Sequence, residues 1–342
     1  MPTDATTAAL RREVRHGLTL RPRRLPPQWL YTATGSSPFP EVTRLPEHCP
    51  TRAERAILTH SCPDIASLTG ARTLIECGFT SSAKTHLLVG ALQDHGTLCH
   101  HMYVGARRSP LDEADRALTA AFSGLEVHAA VADFTTMPEL PPGPRLLAFL
   151  GGGFGNLLPS ERSAFLTTVR TGLDPGDTLL LGVRLVKDPT AIVAAYNDAD
   201  GGSRRFNRNV LARLSREFGA AVDLDSFEHV VVWDVGHERI EVRLRSRREQ
   251  SVTFHGLGGA LVHFEAGEDL RTALSATFRA EGLADELAAS GLELTHWWTD
   301  PDRLYGIALA ALDDVLRPPR SGQVSAGDTR PPRAEEPLVG GW

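Results

Sequence analysis

Between Thr73 and Val183, short apolar runs of strand length alternate with segments of helical period, and few folds accommodate that pattern. The first run, Thr73-Leu74-Ile75-Glu76-Cys77, ends at Gly78 and leads into a helical pattern from Ser82 to Leu92; a second run is Met102-Tyr103-Val104. Further strands are expected at Glu126 to Val131, Leu146 to Leu150 and Thr178 to Val183. Five β-then-α units in order predict an α/β, doubly wound parallel sheet with ligands at its carboxyl edge. Beyond it, Ile192 to Phe227 reads as helices, with Phe206-Asn207-Arg208-Asn209 starting one of them. Two strand-like runs follow, His229 to Asp234 and Arg239 to Arg245, too far along to continue the sheet pattern. They predict a second, smaller α+β unit that closes over the sheet edge.

The expected organisation is an Arg- and Pro-rich extended arm over 1–27, a Rossmann-like core over 28–190, a substrate-binding unit with return to the core over 191–315, and a disordered tail over 316–342. At 342 residues the chain can bury a large core with a smaller unit attached. A formal net charge of -6 lacks the basic field that draws phosphate backbones, so nucleic acid is not an expected partner. No apolar run of about 18 residues is present to span a membrane. Cys49, Cys62, Cys77 and Cys99 form no regular framework, and no secretory apolar segment is found near the start, so a cytoplasmic location is expected. Only Lys84 and Lys187 are lysines among 36 basic residues, a compositional bias that, with Asp4 and Glu13 interrupting it, weakens the Arg-rich start as evidence of organelle targeting. The oligomeric state is not legible.

Three segments can carry ligand chemistry. Gly78, followed by Thr80-Ser81-Ser82, would let a nucleotide or a carboxylate approach backbone N–H groups at a helix start; an N-capped turn with no ligand reads the same way. Asp133-Phe134 at a strand end could hydrogen-bond an adenine amino group and cover the ring. Gly151-Gly152-Gly153-Phe154-Gly155-Asn156 could line a cleft with bare backbone and one amide able to hold an α-carboxylate, or be simple turn residues. His48, His60, His86, His100 and His101 do not make a metal set, and no metal or catalytic acid or base is assigned.

The strings Pro26-Pro27-Gln28-Trp29-Leu30-Tyr31, Thr43-Arg44-Leu45-Pro46-Glu47-His48-Cys49-Pro50-Thr51-Arg52-Ala53-Glu54, Gly155-Asn156-Leu157, Leu185-Val186-Lys187-Asp188-Pro189, Phe206-Asn207-Arg208-Asn209-Val210-Leu211 and Trp297-Trp298-Thr299-Asp300-Pro301 run in order from about residue 20 to 312. In content and spacing the series resembles the histidine-specific N-α-methyltransferases of ergothioneine formation. The resemblance implies a class I methyltransferase sheet, S-adenosylmethionine as methyl donor and a small amino acid or derivative as substrate. It also implies that Tyr31, Gly78, Lys84, Asp133 and Phe134 surround the donor, and that Asn156 and Tyr196 grip an amino acid α-carboxylate.

The chain departs from that family where specificity resides. The family's Gly-Ser-Gly-Thr-Ser-Glu-Lys-Thr is here Gly78-Phe79-Thr80-Ser81-Ser82-Ala83-Lys84-Thr85, and Gly105 stands where an Asp binds ribose hydroxyls. On the substrate side, Cys49, Val242 and Ala273 replace a Tyr, a Met and a Glu that contact imidazole, while Ser275 is kept. Each change enlarges the pocket or removes polarity, which points to a bulkier or more apolar side chain than histidine, an indole first. Two readings stay open. One is an enzyme that methylates the α-amine of such an amino acid; the other is a non-catalytic paralogue that binds an amino-acid-like ligand or a protein, with a different reaction on the same scaffold as a smaller third case.

Overall fold

The computed structural model describes residues 4–26, 29, 49–78, 82–105, 116, 118–131, 138–197 and 201–313. The chain opens with α1 (Asp4–Thr19) and β1 (Arg23–Arg24), then runs α2 (Cys49–Thr69), β2 (Thr73–Cys77), α3 (Ser82–Asp94), β3 (His100–Gly105), β4 (Glu126–Val131), β5 (Arg145–Phe149), α4 (Pro159–Gly172) and β6 (Thr178–Arg184). The expected strands are all present, within two residues of their expected ends.

The second half adds α5 (Pro189–Tyr196), α6 (Gly202–Phe218), β7 (Phe227–Asp234), β8 (Arg239–Ser246), β9 (Gln250–Phe254), β10 (Ala260–Phe264), β11 (Asp269–Ala276), α7 (Ala280–Ala288), β12 (Leu292–Thr299) and β13 (Tyr305–Leu312). Asp188 starts α5 by accepting from the Thr190 N–H at 3.0 Å, and Pro189 takes the first helical position, where it has no N–H to waste. Helix α6 begins at Gly202, ahead of the Phe206-Asn207-Arg208-Asn209 run expected to start it.

The main sheet has seven strands in the order β12-β13-β6-β5-β2-β3-β4. Strands β2 to β6 pair in parallel, and β13 joins β6 antiparallel. This is the doubly wound sheet the alternation predicted, with a C-terminal hairpin filling its far edge. Successive residues of one strand face opposite layers. Leu74 and Leu146 pack with Ile57, Leu58 and Ile65 of α2 and Leu88 of α3, whereas Ile75 and Leu147 pack with Phe165 and Val169 of α4 and Leu283 of α7.

A second sheet, β1-β11-β8-β7, forms the smaller unit, with the β9–β10 hairpin beside it. The sequence alternation Arg239-Ile240-Glu241-Val242-Arg243-Leu244-Arg245 divides its two faces. On one face Glu241 is paired with Arg239, Arg243 and Arg271, and Asp269 with Arg243 and Arg245. The other face is apolar and covered by α5 and α6.

The N-terminal residues correct one expectation. They form no extended arm: α1 sends Val14 and Leu18, both fully buried, into the core of the smaller unit beside Leu214 and Phe218, and β1 pairs in parallel with β11 through Arg23–Leu270 and Arg24–Arg271. The smaller unit is therefore built from both ends of the first 276 residues. The tail over 316–342 lies outside the described residues. Among the described residues, no helix is long and apolar enough to cross a membrane.

Candidate functional site

In the main sheet the chain winds outward from β2 through β3 to β4, then crosses back to β5 and β6. The connections from β2 and β5 thus leave in opposite directions, and a crevice opens between their carboxyl ends, the position where ligands bind in open α/β sheets. Gly78 follows β2 with φ 80°, a left-handed conformation that disfavours any side chain, and its N–H donates to the Val104 carbonyl at 2.8 Å. Gly105 ends β3 next door. Neither strand end carries a side chain that would bar close approach of a group such as the donor, so these two glycines fit the cofactor that the sequence resemblance implies; residues 79–81 and 106–115, which follow them, lie outside the described residues.

Beside the crevice lies a buried polar network. Glu54 of α2 is ion-paired with Lys84 of α3, and its Oε1 accepts from the Gly151 N–H at 2.7 Å and the Tyr305 hydroxyl at 3.0 Å. Both ionised groups are almost fully buried, an arrangement tolerable because every strong partner is present. Burial, reinforced by the Glu54 charge, pushes the Tyr305 phenol well above its ordinary value, so it serves Glu54 as a neutral donor. Lys84, expected at the donor, is committed to Glu54 and through it to the Gly151 turn. A second buried set lies deeper, where Glu76 of β2 accepts from Thr85 at 2.8 Å and contacts His101 Nε2 at 2.9 Å. Burial pushes the Cys62 and Cys77 thiols up to about 12, which leaves neither as a nucleophile.

The glycine-rich run after β5 forms a tight 3₁₀ turn over Gly153–Asn156. A Cβ on Gly155 would lie 2.9 Å from the Ala276 carbonyl, so the absence of a side chain lets this turn seat against the end of β11. Asn156 is thereby brought to the seam between the two sheets.

Across that seam the expected substrate residues meet. Val231, Val242 and Ala273 are cross-strand partners on β7, β8 and β11, and Trp233, Ile240 and Ser275 form the next row. Ile192, Val193 and Tyr196 of α5 pack on this face. The structure thus gathers Tyr196, Val242 and Ala273 into one cluster, with Ser275 buried in the adjoining row. The Tyr196 ring also lies under the Arg184 guanidinium, whose carbon is 5.2 Å from the ring centroid. Tyr31, Asp133 and Phe134 lie outside the described residues, as does the side chain of Cys49, whose backbone opens α2.

A chain of hydrogen bonds fixes Tyr196 from behind. Thr272 Oγ1 donates to Asn207 Oδ1 at 2.5 Å, and Asn207 Nδ2 reaches His229 Nδ1 at 2.9 Å and the Arg243 carbonyl at 3.0 Å. His229 Nε2 lies 3.1 Å from the Tyr196 carbonyl. With Nδ1 accepting from the amide, the only tautomer that completes the chain puts the proton on Nε2, donating to Tyr196. Sequence reading assigned no role to Glu54, Tyr305, Asn207 or Arg184. Glu54 had a signal: it occupies the same stripe of α2 as Leu58 and Ile65, where a carboxylate is out of place without a partner. Tyr305 and Arg184 sit at strand ends in apolar runs and gave none.

His100 and His101 diverge, since His101 turns inward to Glu76. His100 faces Glu126 and His128 at the opposite, amino-terminal edge of β3 and β4, where the three ligand atoms lie within 4.8 Å of one another.

Comparison with known proteins is consistent with this geometry. The sequence pattern of the family described as histidine-specific methyltransferase, SAM-dependent, matches residues 10–312. A histidine N-alpha-methyltransferase from Mycolicibacterium smegmatis is 45% identical over 312 residues, covering 91% of this chain and 97% of its own length. One from Mycobacterium tuberculosis is 43% identical over 310 residues, 90% of this chain and 96% of its own. More distantly, a 4-dimethylallyltryptophan N-methyltransferase from Claviceps purpurea is 27% identical over 209 residues, 56% of this chain and 60% of its own. With the doubly wound sheet, the glycine-lined crevice and the second sheet all in place, the chain belongs to the histidine-specific, S-adenosylmethionine-dependent N-methyltransferase family.

Proposed function

We propose that the chain methylates the α-amine of an amino acid whose side chain is bulkier and more apolar than imidazole. The observation that carries this reading is the row Val231–Val242–Ala273 with Tyr196 and Ile192 over it, a face with no acid among the described residues of its cluster. A neutral imidazole placed there would leave both its N–H and its bare ring nitrogen without partners, at a cost of about 1–3 kcal/mol each, whereas an indole has only one N–H to satisfy and adds apolar contact at about 25 cal/mol per Å². A relative named for a substituted tryptophan, 27% identical over 56% of this chain, is in line with the same choice, whereas the relatives at 43% and 45% identity are named for histidine.

S-adenosylmethionine supplies an electrophilic methyl group on a sulfonium. The chain's own residues have to hold a neutral amine in line with it and keep water out. Asn156 and Tyr196 are assigned the α-carboxylate, and the apolar row the side chain. A second reading, a paralogue that binds an amino-acid-like ligand without methylating it, draws support from Gly105, which offers no acceptor to ribose hydroxyls.

The test is a panel of the twenty amino acids followed by thermal shift and by methyl transfer, repeated with Cys49→Tyr and Ala273→Glu combined. Tryptophan or another bulky apolar residue should lead in the unmodified protein, and histidine should gain only in the double variant. Preference for histidine in the unmodified protein would overturn the substrate reading; binding without methyl transfer would favour the second one.

A further inference from the structure

Arg184 ends β6, half-buried at the seam between the two sheets, and its backbone carbonyl accepts from the Phe278 N–H at 2.8 Å. Its side chain faces the two elements that matter most: the guanidinium carbon lies 5.2 Å from the centroid of the Tyr196 ring, and its charge reaches the Tyr305 hydroxyl. Most other half-buried or buried arginines among the described residues have acids, as Arg162 has Glu286 and Arg239 has Glu241, while Arg24 and Arg170 do not. Among the described residues Arg184 has none within ion-pair distance. The nearby carboxylates are already engaged. Glu54 is matched by Lys84, and Asp300 accepts from the backbone N–H groups of Asp302, Leu304 and Tyr305. Among the described residues the Arg184 guanidinium thus has no acid partner, and it is held against an aromatic face that restricts it to a narrow range of directions.

We propose that Arg184 is a specificity-determining residue that binds the α-carboxylate of the amino acid substrate by a charge-assisted hydrogen bond, beside Asn156 and Tyr196. The assignment rests on the reading above that an amino acid lies between the Asn156 turn and the Tyr196 ring. A guanidinium suits the role because its planar fork matches a carboxylate, and because it stays ionised when partly buried. Arg184 thereby sorts ligands by the presence of a carboxylate, while the row Val231–Val242–Ala273 sorts them by side chain. The two selections are physically separate, so they can be measured separately.

The experiment uses the full chain with S-adenosylhomocysteine present and two matched pairs of probes, L-tryptophan with tryptamine and L-histidine with histamine. Dissociation constants are measured by calorimetry for the unmodified protein, Arg184→Gln and Arg184→Lys. In whichever pair binds, the amino acid should bind at least tenfold more tightly than its amine. Arg184→Gln should erase about ten- to a hundredfold of that preference while leaving the amine unchanged, and Arg184→Lys should fall between. An equal loss for acid and amine would show that Arg184 merely props Tyr196, and an unchanged ratio, or no discrimination or binding by the unmodified protein, would also overturn the assignment. If histidine rather than tryptophan binds, the side-chain reading fails while the Arg184 ratio is still read in the histidine pair.

Discussion

Asn207→Ala tests whether the chain from Thr272 to Tyr196 carries the energy its geometry implies. Asn207 is 1% exposed and makes three hydrogen bonds of 2.5, 2.9 and 3.0 Å, to Thr272, His229 and the Arg243 carbonyl. Each bond contributes about 1 kcal/mol net, and a stranded buried partner costs about 1–3 kcal/mol more. Thr272 is spared most of that cost, since its hydroxyl also reaches the Val242 carbonyl at 3.1 Å. The Arg243 carbonyl and His229 Nδ1 lose their donor outright. With about 1 kcal/mol for the Thr272 bond and about 1–3 kcal/mol for each of the two stranded partners, the loss is roughly 3–7 kcal/mol. Because the last link holds the Tyr196 backbone, KM for the amino acid should rise more than kcat falls. Asn207→Asp keeps an acceptor for Thr272 but turns a carboxylate toward the Arg243 carbonyl, so it should destabilise at least as much. Chemical unfolding gives the free energy and initial rates give the KM. A loss below about 1 kcal/mol with KM unaltered would refute the claim that this chain positions Tyr196.

Two further outcomes follow from the donor edge and the outer face. Gly105→Asp places a carboxylate at the carboxyl end of β3, where it can accept from ribose hydroxyls, and calorimetry with S-adenosylmethionine should show about ten- to a hundredfold tighter binding; tight binding by the unmodified protein would mean that another group already fills the role. On the outer face, burial alone would raise the carboxyls of Asp269 and Glu241, but hydrogen bonds from Arg245 and Arg243 to Asp269, and from Arg243 and Arg271 to Glu241, outweigh it and hold both below their ordinary values of 3.8 and 4.5. Folded values below unfolded ones mean that the stabilisation is complete above those values and is lost as pH falls through and below them, so Asp269→Asn should flatten the acid limb of a Tm profile taken between about pH 6 and 3. An acid limb identical to that of the unmodified protein would count against these pairs.

The main sheet was legible because its strands are buried on both faces and so read as apolar runs of strand length, as Thr178-Leu179-Leu180-Leu181 does. The second sheet was half legible. Arg239 to Arg245 alternates cleanly because one face carries the arginine–carboxylate pairs, but β9 and β10 are only five residues each, and the glycine-bearing connections at Gly258, Gly259 and Gly267 hid them and the start of β11. Helix α1 was misread: its Leu10, Val14 and Leu18 fall at helical spacing, yet Pro22, Pro26 and Pro27 beyond its end dominated the composition of that stretch. At the site, the positions assigned to a ligand came from resemblance, and Tyr196, Val242 and Ala273 do meet in one cluster. The groups that hold those positions in place come from distant segments. Glu54 meets Tyr305 across 251 residues and Thr272 meets Asn207 across 65, and no local pattern announces such partners.

The way the two sheets are joined explains how the substrate side can change without unsettling the donor side. The exit of β11 is tied to the exit of β6 by backbone: Phe278 pairs with Leu185, the Phe278 N–H donates to the Arg184 carbonyl, and the Val186 N–H donates to the Phe278 carbonyl at 3.2 Å. Beside this seam the Gly155 turn lies directly on Ala276. None of these contacts uses the side chain of Val242 or Ala273, which project from the apolar face in the row next to Ile240–Ser275. A change of volume or polarity at those positions therefore alters what the face accepts while the seam, Asn156 and the Glu54–Lys84–Tyr305 network keep their geometry. Ser275, nearest the seam, and Ala273, one step along the same face, are the residues that the resemblance marks as kept and as changed, respectively. On the proposed reading, a change of side-chain preference acts where packing is local and leaves the backbone joints between the two sheets intact.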